Sequence, residues 1–122
     1  MRLEELEKLL AECKKLVGYE GPVRIALKPY KLKAATANIK SKTITINTHL
    51  LDLGEDVIRY LLVHELVHLK LNSRYHDSVF HEELLKVVPE DEVRRARHMI
   101  IERLLEINNV RRGRRSSSPS LD

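Results

Sequence analysis

Apolar side chains recur along the first half of the chain in two rhythms, and each rhythm predicts a different kind of element. From Leu3 to Val17 they are spaced three or four apart, which is typical of one face of an amphipathic helix. Alternating apolar residues then predict a strand from Val23 to Lys28. Two further alternating stretches, from Thr36 to Lys40 and from Thr43 to Asn47, predict a hairpin. The first half of the chain therefore predicts one helix followed by a small sheet.

The second half of the chain has only helical periodicity. The segment from Glu55 to Leu71 is apolar on nearly every side, which predicts a buried helix. A shorter helix is predicted to begin at Asp77 or Ser78, and a last helix to open at Pro89 and run to about residue 109. Together these patterns predict an α+β fold, in which a small antiparallel sheet packs on the helix that begins at Glu55 and other helices flank it.

With 122 residues and 14.2 kDa, the chain has room for a single modest core. We predict one domain at residues 1–109 and a disordered tail at residues 110–122, because RRGRRSSSPSLD has no apolar periodicity. The tail accounts for +3 of the formal net charge of +4, which leaves the domain without a strongly basic surface. Three readings of the tail stay open: no role, blockage of a cleft in a latent enzyme, and weak contact with nucleic acid. The residues for such a contact are Arg111, Arg112, Arg114 and Arg115.

The chain contains no run of eighteen apolar residues, and its N-terminus lacks the apolar core of a signal peptide. Cys13 is the single cysteine, so no disulfide can form within the chain, and it continues the apolar stripe of the first helix as a core residue. These features predict a cytoplasmic protein that does not enter a membrane.

The stretch HELVH carries the strongest chemical signal, because it places His64 and His68 four residues apart on the predicted helix. Residues at that spacing lie on one face, about 5–6 Å apart at Cβ, so both imidazoles can bind one ion. Glu65 lies beside them as a candidate base, as in the H-E-x-x-H pattern of zinc hydrolases. Burying these groups without partners would cost several kcal/mol, which either a metal or hydrogen bonds to the neighbouring backbone would offset, and the H-E-x-x-H spacing favours the metal. We therefore predict Zn²⁺.

A catalytic zinc site needs a third protein ligand. His76 lies eight residues after His68, at the start of the next predicted helix, and a short loop could fold it back over the ion. Acidic side chains further along the chain are the alternative. They are Glu82, Glu83, Glu90 and Glu92.

HELVHLK, followed by HDSVF and EELLKVVP, resembles the YgjP/WLM and SprT-like metallopeptidases. The approach to the helix, TITINTHLL and then VIRYLLVHELVH, is similar to theirs as well, so the resemblance extends from Ala34 to Arg97. It implies that His64, His68 and His76 bind zinc and that Glu65 is the catalytic base.

The small size of the chain also resembles the minimal gluzincin peptidases, whose third ligand is a glutamate. That resemblance would move the third ligand to the helix after Pro89.

We expect the chain to be a zinc metallopeptidase that acts on a peptide or protein substrate, and both an active and a latent form stay open. An extended substrate could add to the edge of the strand that contains Thr43, Thr45 and Asn47. Two other classes remain open, a zinc-containing binding module for DNA or a protein partner and a zinc hydrolase of nucleotides. The sequence does not predict the oligomeric state. Candidate oxyanion donors are Tyr75, His81 and His98.

Overall fold

A computed structural model of the chain describes residues 1–108. In that range the chain forms four α-helices and one three-stranded sheet, with a single turn of 3₁₀-helix at Thr48–Leu50. The elements are α1 Leu3–Val17, β1 Arg24–Lys28, β2 Ala35–Asn38, β3 Thr43–Asn47, α2 Glu55–Leu71, α3 Ser78–Val87 and α4 Glu90–Ile107. All predicted elements are confirmed, with ends shifted by one or two residues. The tail at residues 110–122 and the domain end at residue 109 lie outside the described residues and stay predictions.

The sheet has the strand order β1-β3-β2. β2 pairs with β3 in antiparallel orientation, which confirms the hairpin. The predicted α+β fold is confirmed. However, β1 pairs with β3 in parallel orientation, so the sheet is mixed and the prediction of an antiparallel sheet is wrong for this pair of strands. The reason is the path between β1 and β2: residues 29–34 pass around the end of β3 at Asn47, so that β1 and β2 flank β3 and run in opposite directions.

The prediction that an extended substrate adds to the edge of β3 is also wrong, because β3 is the central strand of the sheet. Thr45 pairs with Ala26 on one side and with Thr36 on the other, so the backbone of β3 has no open edge in this sheet. In this sheet, Thr43 and Thr45 therefore cannot pair with an additional strand. The open edge in the described sheet that adjoins α2 belongs to β2.

Asn47 has a structural role in place of the predicted substrate contact. Its amide is fully buried and fastens the loop between β1 and β2. Nδ2 donates to the carbonyl groups of Tyr30 at 2.9 Å and Lys33 at 2.8 Å, while Oδ1 accepts from the backbone N–H groups of Tyr30 and His49. These four hydrogen bonds use the donors and acceptors of the amide and fix the approach to β2.

The core is built around α2, which is buried without a break from Tyr60 to Leu69. The sheet contributes Ile44 and Ile46, both fully buried, and α1 packs against α2 from another side. Cys13 on α1 is fully buried, as predicted, and burial raises the pKa of its thiol to about 11. Although α2 is largely apolar, no helix within residues 1–108 is long and apolar enough to cross a membrane. The cytoplasmic location stays a prediction of the sequence.

Candidate metal centre

The structure brings three predicted ligands together at one end of α2. Nε2 of His76 lies 3.2 Å from Nε2 of His64 and 3.1 Å from Nε2 of His68, and the potential ligand atoms of the three residues all lie within 4.8 Å of one another. Two nitrogens bound to zinc at neighbouring corners of a tetrahedron are about 3.4 Å apart. The three imidazoles are therefore positioned to bind a metal ion, and their spacing fits zinc.

The end of α2 explains how His76 reaches the other two rings. Asn72 adopts the left-handed conformation (φ 52°, ψ 46°) as the C-cap of α2, which turns the chain back across the last helical turn. The N–H of Ser73 donates to the carbonyl of His68 at 3.1 Å. At the other end of the loop, Asp77 caps α3 by accepting from the N–H of Phe80 at 3.0 Å. His76 is thus held in a short loop, residues 72–77, that is anchored at both ends.

Hydrogen bonds at the far side of the rings orient the ligand nitrogens. Nδ1 of His68 lies 2.9 Å from the carbonyl oxygen of Ser73, so it carries the proton and donates, which leaves the Nε2 lone pair for the centre. Nδ1 of His64 lies 3.4 Å from the hydroxyl of Tyr60. The buried ring of Phe80 packs against all three imidazoles at centroid distances of 4.6–4.9 Å and forms an apolar support.

Glu65 is a fully buried residue of α2, and it is one of the residues that line a cleft of about 340 Å³ beside the three rings. One wall of the cleft is β2 with its flanking residues, and the other is α2 with the 72–77 loop. The cleft is lined by Lys33, Thr36, Ala37, Ile39, Glu65, His68, Arg74 and His76. A polypeptide that lies along the open edge of β2 would therefore pass Glu65 and two of the three histidines.

The acidic alternatives for the third ligand do not join this group. Within residues 1–108, the metal-type cluster consists of the three histidines. Glu83 instead accepts hydrogen bonds at 2.6 Å from both Lys70 and Lys86, which hold the pKa of its carboxyl at about 2. Glu90 pairs with Arg94 at 3.0 Å.

The candidate oxyanion donors are not among the cleft residues. Tyr75 is 75% exposed, and His98 lies 3.4 Å from Glu102 on α4. The structure adds two residues that the sequence analysis did not single out, Lys33 and Arg74, one on each wall of the cleft. The proximity of Arg74 to His76 in the sequence was the available signal, whereas Lys33 enters the cleft only through the path of the β1–β2 loop.

The chain is similar to one known protein family and to several individual proteins. Residues 2–99 match the family model of the YgjP-like metallopeptidase domain. An uncharacterized protein of Aquifex aeolicus, aq_aa15, is 40% identical over 89 residues, which are 72% of this chain and 80% of that protein.

Two solved structures share the fold. The metallopeptidase zymogen abylysin of Pyrococcus abyssi is 36% identical, with a TM-score of 0.75 over 81% of this chain and 94% of its own. The metallopeptidase zymogen jannalysin of Methanocaldococcus jannaschii is 27% identical, with a TM-score of 0.73 over 81% of this chain and 96% of its own. The fold therefore resembles that of two metallopeptidases in their zymogen form.

Proposed function

Because the chain belongs to the YgjP-like metallopeptidase family, we propose that it hydrolyses peptide bonds with zinc held by His64, His68 and His76 and with Glu65 as general base. The observation that carries the proposal is the convergence of three Nε2 atoms beside a buried glutamate on the wall of a cleft. A structural zinc site has four protein ligands and needs no base. Three imidazoles and a glutamate next to an open cleft suit a hydrolase better.

The protein's own groups then have separate tasks. His64, His68 and His76 would hold the zinc, which would supply Lewis acidity to polarise a carbonyl and to make water a stronger nucleophile at neutral pH. Glu65 accepts a proton from the attacking water and passes it to the nitrogen of the leaving amine, so that the amine departs neutral. Ser73 and Tyr60 keep the ligand rings oriented through Nδ1, and Phe80 excludes water from behind them.

The open edge of β2 is the proposed binding surface for the substrate backbone. The N–H of Asn47 donates to the carbonyl of Ala34, so the next hydrogen-bonded pair along this antiparallel ladder is Thr36 with Thr45. Ala35 and Ala37 belong to the alternate pairs, and their N–H and C=O groups therefore point away from β3. An extended peptide can pair with Ala37 in the cleft by β-augmentation.

The proposal is tested by hydrolysis of a peptide library with the zinc-loaded wild type and the Glu65→Gln variant. Glu65→Gln keeps the shape and the three histidines but cannot accept the proton. We expect it to bind zinc as the wild type does and to lose about two to four orders of magnitude in kcat. Glu82→Gln, an exposed glutamate on α3, is the matched control and should change neither quantity.

Retention of hydrolysis by Glu65→Gln would show that the assigned base is wrong. Zinc binding with no hydrolysis of any peptide, by both the full chain and the chain truncated after Gly113, would favour the binding-module alternative. Release of phosphate from nucleotides would favour the nucleotide hydrolase.

We further propose that the chain is latent, because abylysin and jannalysin, two of the solved structures with the same fold, are zymogens. Residues 110–122, for which blockage of the cleft is one of three open readings, lie outside the described residues. Truncation after Gly113 separates the readings of this tail. A gain of peptidase activity supports latency, a loss of DNA binding supports a nucleic-acid contact, and no change in either contradicts both.

A further inference from the structure

Two cations flank the cleft at the proposed catalytic centre. Lys33 precedes β2 on one wall, and Arg74 lies in the 72–77 loop on the other, two residues before His76. Both side chains are exposed, and within residues 1–108 neither forms an ion pair with a carboxylate. By contrast, Arg59 and Arg103 pair with carboxylates of the fold. The charges of Lys33 and Arg74 are therefore available to a ligand in the cleft.

No carboxylate of the described cleft competes with such a ligand for these cations. Glu65 is the one acidic residue in the described lining, and it is fully buried next to the histidines, where the proposed function uses it as the base. The remaining charge on the described walls is positive. A substrate carboxylate would be attracted by both walls, and a substrate lysine or arginine would be repelled.

The shape of the cleft offers little basis for selecting a side chain by size. The walls carry the small side chains of Thr36 and Ala37, and Ile39 is the one large aliphatic residue in the described lining. A preference for a bulky apolar residue needs a deep apolar pocket, because burial of apolar surface supplies the discrimination. Charge is consequently the property of the cleft best able to discriminate between peptides.

We infer that the cleft selects peptides carrying a carboxylate close to the scissile bond, with Lys33 and Arg74 as the residues that determine this specificity. The inference rests on the proposed peptidase function and deepens it. Arg74 presents a planar guanidinium, which can bind a carboxylate through two parallel hydrogen bonds, whereas Lys33 acts as a point charge. The carboxylate can belong to an Asp or Glu side chain or to the C-terminus of a short peptide.

Direct binding tests the inference without depending on turnover. The full chain, zinc-loaded and carrying Glu65→Gln so that peptides persist, is titrated against three peptides with the same neutral fluorophore. One has blocked ends and an internal Glu, the second replaces that Glu with Gln, and the third keeps the Gln but has a free C-terminal carboxylate. The affinity is measured by fluorescence anisotropy.

We expect one of the two carboxylate peptides to bind at least about fivefold more tightly than the blocked Gln peptide, and the identity of that peptide tells which carboxylate is recognised. Lys33→Gln and Arg74→Gln should each lower the affinity for that carboxylate peptide about fivefold and leave the affinity for the blocked Gln peptide unchanged. Lys8→Gln, an exposed lysine on α1, makes the same change in net charge and should have no effect. The preference should also weaken between about 0.05 M and 0.3 M salt.

Equal affinity for all three peptides overturns the inference, and so does a lack of binding of any peptide to both the full chain and the chain truncated after Gly113. Hydrolysis of the same peptides by the wild type separates this failure from that of the proposed function. Equal kcat/KM for the acidic and neutral peptides overturns the specificity and leaves the peptidase standing. Absence of hydrolysis by both the full chain and the chain truncated after Gly113, together with a preference for acidic peptides in binding, overturns the peptidase, while Lys33 and Arg74 keep their role in recognition.

Discussion

Asn72 is the residue at which the chain leaves α2, and its conformation decides whether His76 can return to the other two histidines. Its φ of 52° lies in the left-handed region, where Asn is tolerated and β-branched residues are strained. From this turn the backbone presents the Ser73 carbonyl to Nδ1 of His68. A single backbone conformation therefore sets both the position of one ligand and the orientation of another.

Replacement of Asn72 by Val should disturb both functions of the turn. We expect the free energy of unfolding to fall by about 1–2 kcal/mol, because Val is strained at positive φ. Zinc affinity should fall by about tenfold, since the partner of a ligand imidazole is displaced. Denaturant unfolding and zinc titration measure the two quantities, and Asn72→Gly should preserve both.

Lys42, in the β2–β3 turn, provides a control for strain alone, because its φ of 57° is also left-handed. Lys42→Val should lower stability to a similar degree and leave zinc affinity unchanged. An equal loss of zinc affinity in both Val variants would contradict the role assigned to Asn72.

At the level of elements, Lys70 connects three helices at the end of the molecule that carries the histidines. From α2, its ammonium donates to the Val17 carbonyl at the end of α1 at 2.9 Å and to Glu83 on α3 at 2.6 Å. Lys86 donates to the other oxygen of Glu83. Because α3 also carries Phe80, which packs against the three imidazoles, this ion-pair network helps to hold Phe80 in place beside the metal centre.

The network predicts a specific dependence of stability on pH. Hydrogen bonds from Lys70 and then Lys86 lower the pKa of Glu83 from 4.5 to about 2 in the folded chain. A lowered carboxyl pKa stabilises the fold above the unfolded pKa, and this contribution is lost as the pH falls through the folded value. The stability difference between the wild type and Glu83→Gln should thus be largest above about pH 5 and shrink towards about pH 2.

Thermal unfolding from pH 7 down to pH 2 measures that difference. Glu90→Gln is the matched control, because Glu90 also pairs with a basic side chain, that of Arg94, but both side chains of this pair are exposed. It should show almost no difference at any of these pH values. A Glu83→Gln difference that stays constant with pH would rule out the network as its source.

The sequence predicted elements better than it predicted their arrangement. The apolar surround of HELVH was sufficient to predict α2 as a buried helix, and helical spacing placed His64 and His68 on one face. Alternation in TITIN predicted a strand. Central and edge strands show the same alternation, so the pattern could not predict that β3 lies at the centre of the sheet. Lys33 reaches the cleft through a loop held by Asn47, and such long-range hydrogen bonds leave no periodic signal.

At the scale of the whole molecule, a metal ion would join the buried helix α2 to the exposed loop that carries His76. His64 and His68 belong to the buried centre of the core, whereas His76 lies in an exposed loop. Zinc bound to all three would stabilise the folded state, because the unfolded chain does not hold the rings together.

Thermal unfolding with and without zinc measures this coupling. Zinc at one hundred times its Kd should add about 2.7 kcal/mol to the free energy of unfolding. His76→Ala should remove most of the shift, and His98→Ala, on the exposed surface of α4, should retain it. An unchanged shift in His76→Ala would mean that His76 is not a ligand.

The most direct test of the metal centre is a crystal structure of the zinc-loaded protein with anomalous diffraction measured at the zinc edge. We predict one strong anomalous peak that marks a zinc ion about 2.0–2.1 Å from Nε2 of His64, His68 and His76, with a fourth coordination position not filled by a protein side chain. A peak with four protein ligands, or one bound by a downstream glutamate in place of His76, would contradict this prediction.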